Sequence, residues 1–461
     1  MYIYKTNFYI LLSRISIMTF EGYSVKIKNA LESQKISVGD LIEIKKGSKT
    51  YTGMLMPRTQ GDSNCIVIKL ANGYNIGIDF RNASVRRIKP AKKSSEKKPA
   101  LSFDKTKPPV ALITTGGTIT SKIDYETGAV RSLIKPGELL DTTPRLREII
   151  NLTEISSPFA RMSEDMNADD WAKIAKETAR LLNKGNKGVI ITHGTDTLHY
   201  TAAALSFALK NLHKPVVLVG AQRSSDRGSA DTTMNLVCSA YVAVSNISEV
   251  GICMHGSIND DYCLFSRGTK VRKMHTSRRD AFRPINELPL AKIWYDGKIE
   301  IVNKNYKKRN DSEKVKADAK FEKKVALLKA YPGSDPHVLE YYASKGYKGF
   351  VIEGTGLGHV PTKSKNSWIP VIKKLTKDGI PVVIAPQTLY GRINPNVYTN
   401  LRILFYDAGA IPGQDMLPET AYVKLCWALG HTKDFDKIKS MMMENIAGEI
   451  TSRSIINTFL M

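Results

Sequence analysis

The spacing of apolar residues changes character along the chain, and each change predicts a different kind of element. Between Val38 and Ile88, short runs (Leu41–Ile44, Tyr51–Met56, Cys65–Leu70, Tyr74–Ile78) are separated by turn residues at Lys46-Gly47-Ser48, Gln60-Gly61-Asp62 and Ala71-Asn72-Gly73. Strands this short at this spacing predict a small β-barrel, with a short helix before it over Tyr23–Leu31. From Val110 the runs become continuous: Val110–Thr115, Gly188–Thr192, Pro215–Gly220 and Val250–Met254, each closed by Gly or His. Unbroken apolar runs bounded by such residues are the mark of strands buried in a parallel sheet. Helical periods lie between them. Asn167 is placed to cap a helix carrying Trp171, Ile174, Ala175, Leu181 and Leu182 until Gly185 stops it, and Thr197–Leu209 has a similar period. The strand pattern resumes at Val325–Ala330, Gly349–Glu353 and Pro381–Ala385. Asp415–Glu419 then leads into a helix reaching Leu429, with Pro418 in its first turn. The expected fold class is α/β: two lobes of doubly wound parallel sheet preceded by a small β-barrel domain.

Between these blocks the composition shifts. The longest uninterrupted apolar run in residues 1–17 is Phe8–Leu12, shorter than the about 7–15 residues of a signal h-region. No small-residue cleavage site follows, so 1–17 are expected to be an extension upstream of the true start at Met18. Residues 18–90 form the barrel, and 91–107, rich in Lys, Ser and Pro, a flexible linker. The first lobe covers 108–305, a charged connector or hinge 306–324, the second lobe 325–431 and a C-terminal tail 432–461.

Composition narrows the function classes. In 461 residues, 42% hydrophobic and 24% charged are ordinary values for a multidomain globular protein. No apolar stretch approaches the roughly 20 residues needed to span a bilayer. The five cysteines include no CxxC pair and the eight histidines no HExxH. A disulfide scaffold and a metal hydrolase are therefore not expected, and a reducing cytoplasm is. Sixty-eight Lys/Arg against 44 Asp/Glu give +24, and residues 18–100 alone hold 16 Lys/Arg against 7 Asp/Glu. That excess suits a polyanionic partner, or solubility alone.

Three segments carry candidate chemistry. Thr114-Thr115-Gly116-Gly117-Thr118 follows a strand, and two glycines there permit a tight turn and close approach of backbone to a ligand. No Lys-Ser/Thr follows, so a phosphate loop fits poorly. His193-Gly194-Thr195-Asp196-Thr197 also ends a strand and precedes a helix. It offers hydroxyls and a carboxylate, although Asp196 or Thr197 could simply cap that helix. Arg272–Phe282 is basic, either a solvated loop or the source of a lysine, Lys273, that helps deprotonate a threonine hydroxyl.

Together these motifs resemble the bacterial-type L-asparaginase family over about residues 108–431. The resemblance implies amide hydrolysis through a threonine acyl-enzyme. Thr115 is similar to the threonine that attacks, and Tyr125, within Lys122–Gly128, to the tyrosine that activates it and closes over the substrate. Thr195, Asp196 and Lys273 are similar to the family's Thr–Asp–Lys set. Ser163 corresponds to the serine that holds the substrate α-carboxylate, and Asp196 would bind the α-ammonium group. Which threonine attacks first stays open, with Thr115 ranked ahead.

Two features depart from a plain asparaginase: the basic barrel with its linker, and Glu164 where many asparaginases have glutamine. Both, together with Gly268–Arg283 and Asp124–Val130, resemble the archaeal glutamyl-tRNA(Gln) amidotransferase D-subunit family over residues 18–461. One mismatch is Leu417, where a Thr cap before Pro418 would be usual. The resemblance implies a cytoplasmic, ammonia-supplying ligase subunit that deaminates glutamine or asparagine. Its partner would be an E subunit, in a heterodimer or a dimer of heterodimers. That E subunit would use ATP and magnesium to amidate Glu-tRNA(Gln). No cofactor is expected in this chain, since Gly354-Thr355-Gly356-Leu357-Gly358 lacks the full dinucleotide fingerprint. Competing readings are a free-standing cytosolic L-asparaginase and a nucleic-acid-binding protein with a degenerate amidase.

Overall fold

The computed structural model describes residues 20, 22–57, 62–71, 75–90, 104–117, 119, 121–123, 130–132, 143–223, 229–310 and 313–460. The extension 1–17, residues 91–103 of the linker, and Tyr125 lie outside the described residues. The chain divides into two compact units, one built on Met1–Ala100 with Thr120–Glu138 and Arg223–Ala230, the other on the remainder.

In the first unit, helix α1 (Val25–Ser33) buries Ile27 and Leu31, one turn apart, against a sheet. That sheet is antiparallel with strand order β4-β3-β2-β1-β5: β1 Leu41–Lys46, β2 Lys49–Leu55, β3 Cys65–Lys69, β4 Asn75–Asp79, β5 Ala83–Lys89. Period-two alternation turns Ile42, Ile44, Ile66 and Ile68 inward. Five strands replace the four runs visible in the sequence. β5 does not show as a run because only Val85 in it is buried, and its apolar Ala83 and Ile88 stand apart among Ser84, Arg86, Arg87 and Lys89. β4 and β5 stand at the two ends of the strand order and share no ladder among the described residues. Tyr23 ties the helix end across it, donating to Met56 O (2.7 Å) and accepting from Val67 N (3.1 Å). Ser121–Ile123 (β7) and Val130–Ser132 (β8) form a separate antiparallel pair.

The second unit contains both lobes. The first lobe is an eight-stranded sheet in the order β18-β17-β14-β13-β12-β10-β6-β9. Its strands are β6 Pro109–Thr114, β9 Asn151–Ser156, β10 Gly188–Thr192, β12 Val216–Val219, β13 Val250–His255, β14 Cys263–Arg267, β17 Ala291–Ile293 and β18 Ile299–Ile301. β9, β6, β10, β12 and β13 run parallel, as the continuous apolar runs predicted. From β14 onward the pairing is antiparallel, so the sheet is mixed rather than wholly parallel. The last strands are too short to show as apolar runs. Around it pack α2 (Ala168–Asn183), α3 (Leu198–Ala208) and α4 (Thr232–Val244). Asn167 and Asp170 form a capping box on α2. β6 has β9 on one side and β10 on the other, so the chain reverses its direction of travel across the sheet there. The crevice above the carboxyl ends of β6 and β10 is the switch point at which open α/β sheets bind ligands.

The charged connector is no loose hinge. Arg309 donates to the carbonyls of Ser245 (2.7 Å) and Lys187 (2.7 Å), and Lys316–Ala317 (β19) pairs with Leu209–Lys210 (β11). The segment is thus strapped along the first lobe.

In the second lobe β20 (Val325–Lys329), β21 (Gly349–Gly354), β22 (Val382–Pro386) and β23 (Ile411–Pro412) are parallel and follow chain order. Helices cover both of its faces: Phe350, Ile352, Val382 and Ile384 pack on one side, Val351, Val383 and Ala385 on the other, and no switch point arises among its described residues. Helices α5 (His337–Ser344), α6 (Ile369–Lys377), α7 (Pro418–Leu429) and α8 (Phe435–Met443) complete it. Leu417 does occupy the N-cap of α7 and makes no capping bond, but it is buried, so an apolar residue suits the position. Trp171, Ala203, Ala204 and Phe207 of the first lobe share a core with Val423 and Trp427 of α7, which seals the two lobes together. Among the described residues no helix is long and apolar enough to cross a membrane.

Candidate active site

Two sharp turns at the ends of neighbouring strands build the site. Thr114 and Thr192 are paired in register at the ends of β6 and β10. Beyond them Thr115 N (3.1 Å) and Thr115 Oγ1 (2.9 Å) both donate to Thr192 O, and Arg161 N donates to Thr115 O (2.8 Å). The double glycine is required twice over. Gly116 has φ +111°, and a Cβ there would lie 2.4 Å from Arg161 O. Gly117 has φ +85°, and a Cβ there would lie 2.4 Å from both Gly194 Cα and Gly194 N. The first turn can therefore lie against the second only because neither glycine carries a side chain.

Gly194 in turn abuts Ser163, where a Cβ would stand 2.8 Å from the serine Oγ. Ser163 is buried in the short turn Ser163–Asp165, with Glu164 beside it and exposed. Arg161, bonded to Asp170 of the capping box at 2.8 Å, anchors the approach to that turn. Thr197 Oγ1 donates to Ser163 O (2.6 Å) instead of capping α3, and Asp196 does not cap it either. The bland helix-cap reading of the second motif therefore fails.

Asp196 and Thr195 share one partner. Lys273 Nζ donates to Thr195 Oγ1 at 2.9 Å and to Asp196 Oδ1 at 2.7 Å. Lys273 ends β15 (Val271–Lys273), which pairs with β16 (Phe282–Pro284). The hairpin tip between them is held by Asp280, which takes Arg278 and Arg283; the Arg278 hydrogen bond holds its carboxyl below the ordinary range. Thr195, Asp196 and Lys273 are thus one hydrogen-bonded group. Thr115 and Ser163 are joined to it through the glycine contacts, Glu164 stands at its edge, and Tyr125 lies outside the described residues.

Several residues that sequence reasoning did not single out shape the surroundings. Burial pushes the His193 imidazole down to about 4, so at neutral pH it is uncharged. Its Nδ1–H then donates to Gly194 O (2.7 Å) and its Nε2 accepts from Thr201 (2.8 Å). Burial, with the nearby Arg272 and Lys273 cations, pushes His199 down to about 3. Asn235, fully buried, donates to Gly220 O (3.0 Å) and so fixes the strand end that packs on the Thr195 methyl. Glu419, at the start of α7, accepts from Arg272 at 2.9 Å. Its carboxyl is raised by burial, against the pull of Arg272. His193 and Arg272 open two of the motifs, but no local sequence signal marks His199, Asn235 or Glu419, because their roles depend on the meeting of distant segments. Asp196, Lys273, His199, Arg272 and Glu419 line an open cleft of about 440 Å³. No three His, Cys, Asp or Glu side chains among the described residues are grouped to hold a metal ion. Gly354–Gly358 closes a tight turn, with Thr355 N donating to His359 O (2.9 Å).

A hydroxyl paired with a lysine and a carboxylate at a switch-point crevice, on this two-lobed frame, defines an asparaginase-type amidohydrolase. The family model for the asparaginase N-terminal domain matches residues 109–307, and that for the glutaminase/asparaginase C-terminal domain matches 324–442. The L-asparaginase of Thermococcus kodakarensis has a similar structure, with TM-score 0.66 and 29% identity over 75% of this chain and 100% of that one. L-asparaginase I of Vibrio cholerae gives TM-score 0.65 and 28% identity over 75% and 99%. Residues 36–88 match the GatD N-terminal domain model. Over 95% of this chain and 100% of theirs, the glutamyl-tRNA(Gln) amidotransferase D subunit of Pyrococcus furiosus is 51% identical and that of Pyrococcus abyssi 49%. The corresponding protein of Sulfolobus acidocaldarius is 47% identical over 93% of this chain and 95% of its own. The chain belongs to the glutamyl-tRNA(Gln) amidotransferase D-subunit family.

Proposed function

We propose that this chain is the ammonia-supplying amidohydrolase subunit of a tRNA-dependent amidotransferase, and that glutamine or asparagine is its donor. The observation that carries the chemistry is Lys273 Nζ bridging Thr195 Oγ1 and Asp196 Oδ1 beside the Thr115 turn. In this reading the Thr115 hydroxyl oxygen attacks the side-chain amide carbon. Its proton passes through the Thr195–Lys273 relay to the leaving nitrogen, the C–N bond breaks, ammonia departs and an ester on Thr115 remains. Water then hydrolyses the ester, releasing the free acid and restoring the hydroxyl. Backbone N–H groups about the glycine turns supply oxyanion stabilisation. Ser163 holds the α-carboxylate and Asp196 the α-ammonium group, Glu164 belongs to the substrate-binding set, and Tyr125 closes over the substrate.

The ammonia would pass to an E subunit in the cytoplasm, in a heterodimer or a dimer of heterodimers. That partner would bind ATP and magnesium and convert Glu-tRNA(Gln) to Gln-tRNA(Gln). Likeness to D-subunit relatives over 95% of the chain, N-terminal unit included, favours this over a free-standing asparaginase. The test is Lys273→Met in the assembled complex. Glutamine-dependent amidation should be lost, while amidation from added ammonium persists. Failure of ammonium to rescue would give Lys273 a structural or partner-facing role instead.

A further inference from the structure

The strand that delivers Lys273 is only three residues long and pairs with a single three-residue neighbour. An isolated two-stranded ribbon of that size is at best marginally stable, so something else must hold the lysine 2.9 Å from Thr195. The holding groups come from the second lobe and its C-terminal extension. Thr420 Oγ1 donates to Thr269 O (3.0 Å), and Thr269 Oγ1 donates to Ala447 O (3.1 Å). Lys270, fully buried, donates to Asp415 Oδ2 at 2.7 Å. Arg272, next to the lysine, is paired with Glu419 at 2.9 Å.

From this geometry we infer that Glu419 is a positioning residue for the amide hydrolysis: acting through Arg272, it aligns Lys273 on Thr195 from the opposite lobe. The inference rests on the proposed role of Lys273. Successive strand residues point to opposite faces, so Arg272 reaches Glu419 while Lys273 reaches Thr195 and Asp196. Glu419 occupies the first turn of α7, where the helix N-terminus favours a carboxylate. Its charge offsets that of Arg272 beside the lysine. Around this pair the cleft presents His199, whose Nε2 lies 3.9 Å from Glu419 Oε1. Among the described residues neither Glu419 Oε2 nor His199 Nδ1 has a hydrogen-bond partner, so the carboxylate depends on Arg272 and on packing for its placement. Without the carboxylate, the Arg272 charge stands unbalanced next to Lys273, and the lysine is pushed off Thr195.

The test compares Glu419→Gln, Glu419→Ala, Arg272→Lys and Arg272→Gln in the full-length chain, with Lys273→Met as reference. The readouts are kcat and KM for glutamine and asparagine hydrolysis, and melting temperature. Expected is a fall in kcat of about 10- to 100-fold for Glu419→Ala and Arg272→Gln with KM within about threefold, the signature of a lost transition-state alignment. Arg272→Lys should restore part of kcat. Should Glu419→Ala not accumulate folded, Glu419→Gln and Arg272→Gln make the same comparison. Unchanged kcat in folded Glu419→Gln and Arg272→Gln, or an effect on melting temperature or KM alone, overturns the positioning role. If Lys273→Met itself hydrolyses normally, the proposed role of Lys273 falls and the inference with it. An inactive Lys273→Met beside Glu419 variants of normal kcat overturns the inference only.

Discussion

Replacing Gly117 by alanine should cost more than its loss of backbone freedom, by an amount the structure sets. At φ +85° an L-residue is strained, by about 1–3 kcal/mol. The added methyl also lies 2.4 Å from Gly194 Cα and 2.4 Å from Gly194 N. Carbon atoms normally rest about 3.5–4 Å apart. Both obstacles are main chain, so no rotamer change relieves them, and overpacking of that kind typically costs another ~1–3 kcal/mol. The expected destabilisation is therefore roughly 2–6 kcal/mol. Gly185→Ala is the control: its φ is +98°, but nothing lies within 4 Å of the added carbon. That variant should show the conformational part alone, about 1–3 kcal/mol. All four tryptophans (Trp171, Trp294, Trp368, Trp427) lie in the second unit, so urea unfolding followed by tryptophan fluorescence reports on the right body. Activity adds a second reading. Relief of the clash must part the Thr115 turn from the Thr195 turn, and a displacement near 1 Å is enough to cost about 10²-fold in turnover. Equal urea midpoints for Gly117→Ala and Gly185→Ala, with near-normal hydrolysis by the former, would refute the argument that these turns are locked together by glycine.

Thr115→Val and Thr195→Val each remove a hydroxyl at nearly constant shape. Glutamine or asparagine hydrolysis should fall by on the order of 10³-fold or more while the melting temperature changes little; normal turnover in both would sink the threonine mechanism. Acid should weaken the fold through His193. Its native titration is pushed down to about 4 by burial, against about 6.5 when unfolded, so its contribution is complete above ~6.5 and is lost as pH falls toward 4. That loss reaches about 3 kcal/mol, and His199 acts in the same direction. Urea midpoints that do not fall between pH 7 and 4.5, or that fall equally in His193→Gln, would contradict it. Removing residues 18–90 with the linker should leave amide hydrolysis intact, because the hydrophobic core running from Tyr23 to Val85 is drawn from within that segment. Complex assembly or the salt dependence of tRNA binding should weaken; unchanged assembly and salt slope would leave the basic module without that role.

How much of this was legible in the sequence depended on how local the physics was. The parallel strands of the first lobe showed themselves because a strand buried on both faces must be apolar throughout, as Val189–Ile191 and Val216–Val219 are. Helix α2 was legible for the same reason at a different period, together with Asn167 at its start. β5 was not, since an edge strand exposing Arg86, Arg87 and Lys89 has no inward pattern beyond Val85. The antiparallel extension β14-β17-β18 was hidden because its outer members, Ala291–Ile293 and Ile299–Ile301, are three residues each. The connector read as a hinge because its lysines and arginines are soluble in any setting. Nothing in the sequence says that Arg309 will find three carbonyls of the first lobe.

At the site the same distinction separates chemistry from support. Thr115, Thr195 and Asp196 sit in turns whose glycines and hydroxyls are unusual together, and Lys273 stands in a cluster of cations, so each advertised itself. Glu419 and Arg272 did not, because an acidic residue after Pro418 reads as an ordinary helix first turn and an arginine among basic neighbours as a solvated one. Their meaning arises only where α7 meets β15, segments about 150 residues apart in sequence. The shared core of Trp171, Phe207, Val423 and Trp427 brings α3 and α7 together. Asp196 and His199 enter the site from the start of α3, and Glu419 from the start of α7. The interlobe core and the lysine alignment are thus parts of one packing arrangement, and a second lobe that contributes no nucleophile still has a place in the chemistry. Loosening that core should therefore reach Lys273 before it unfolds either lobe.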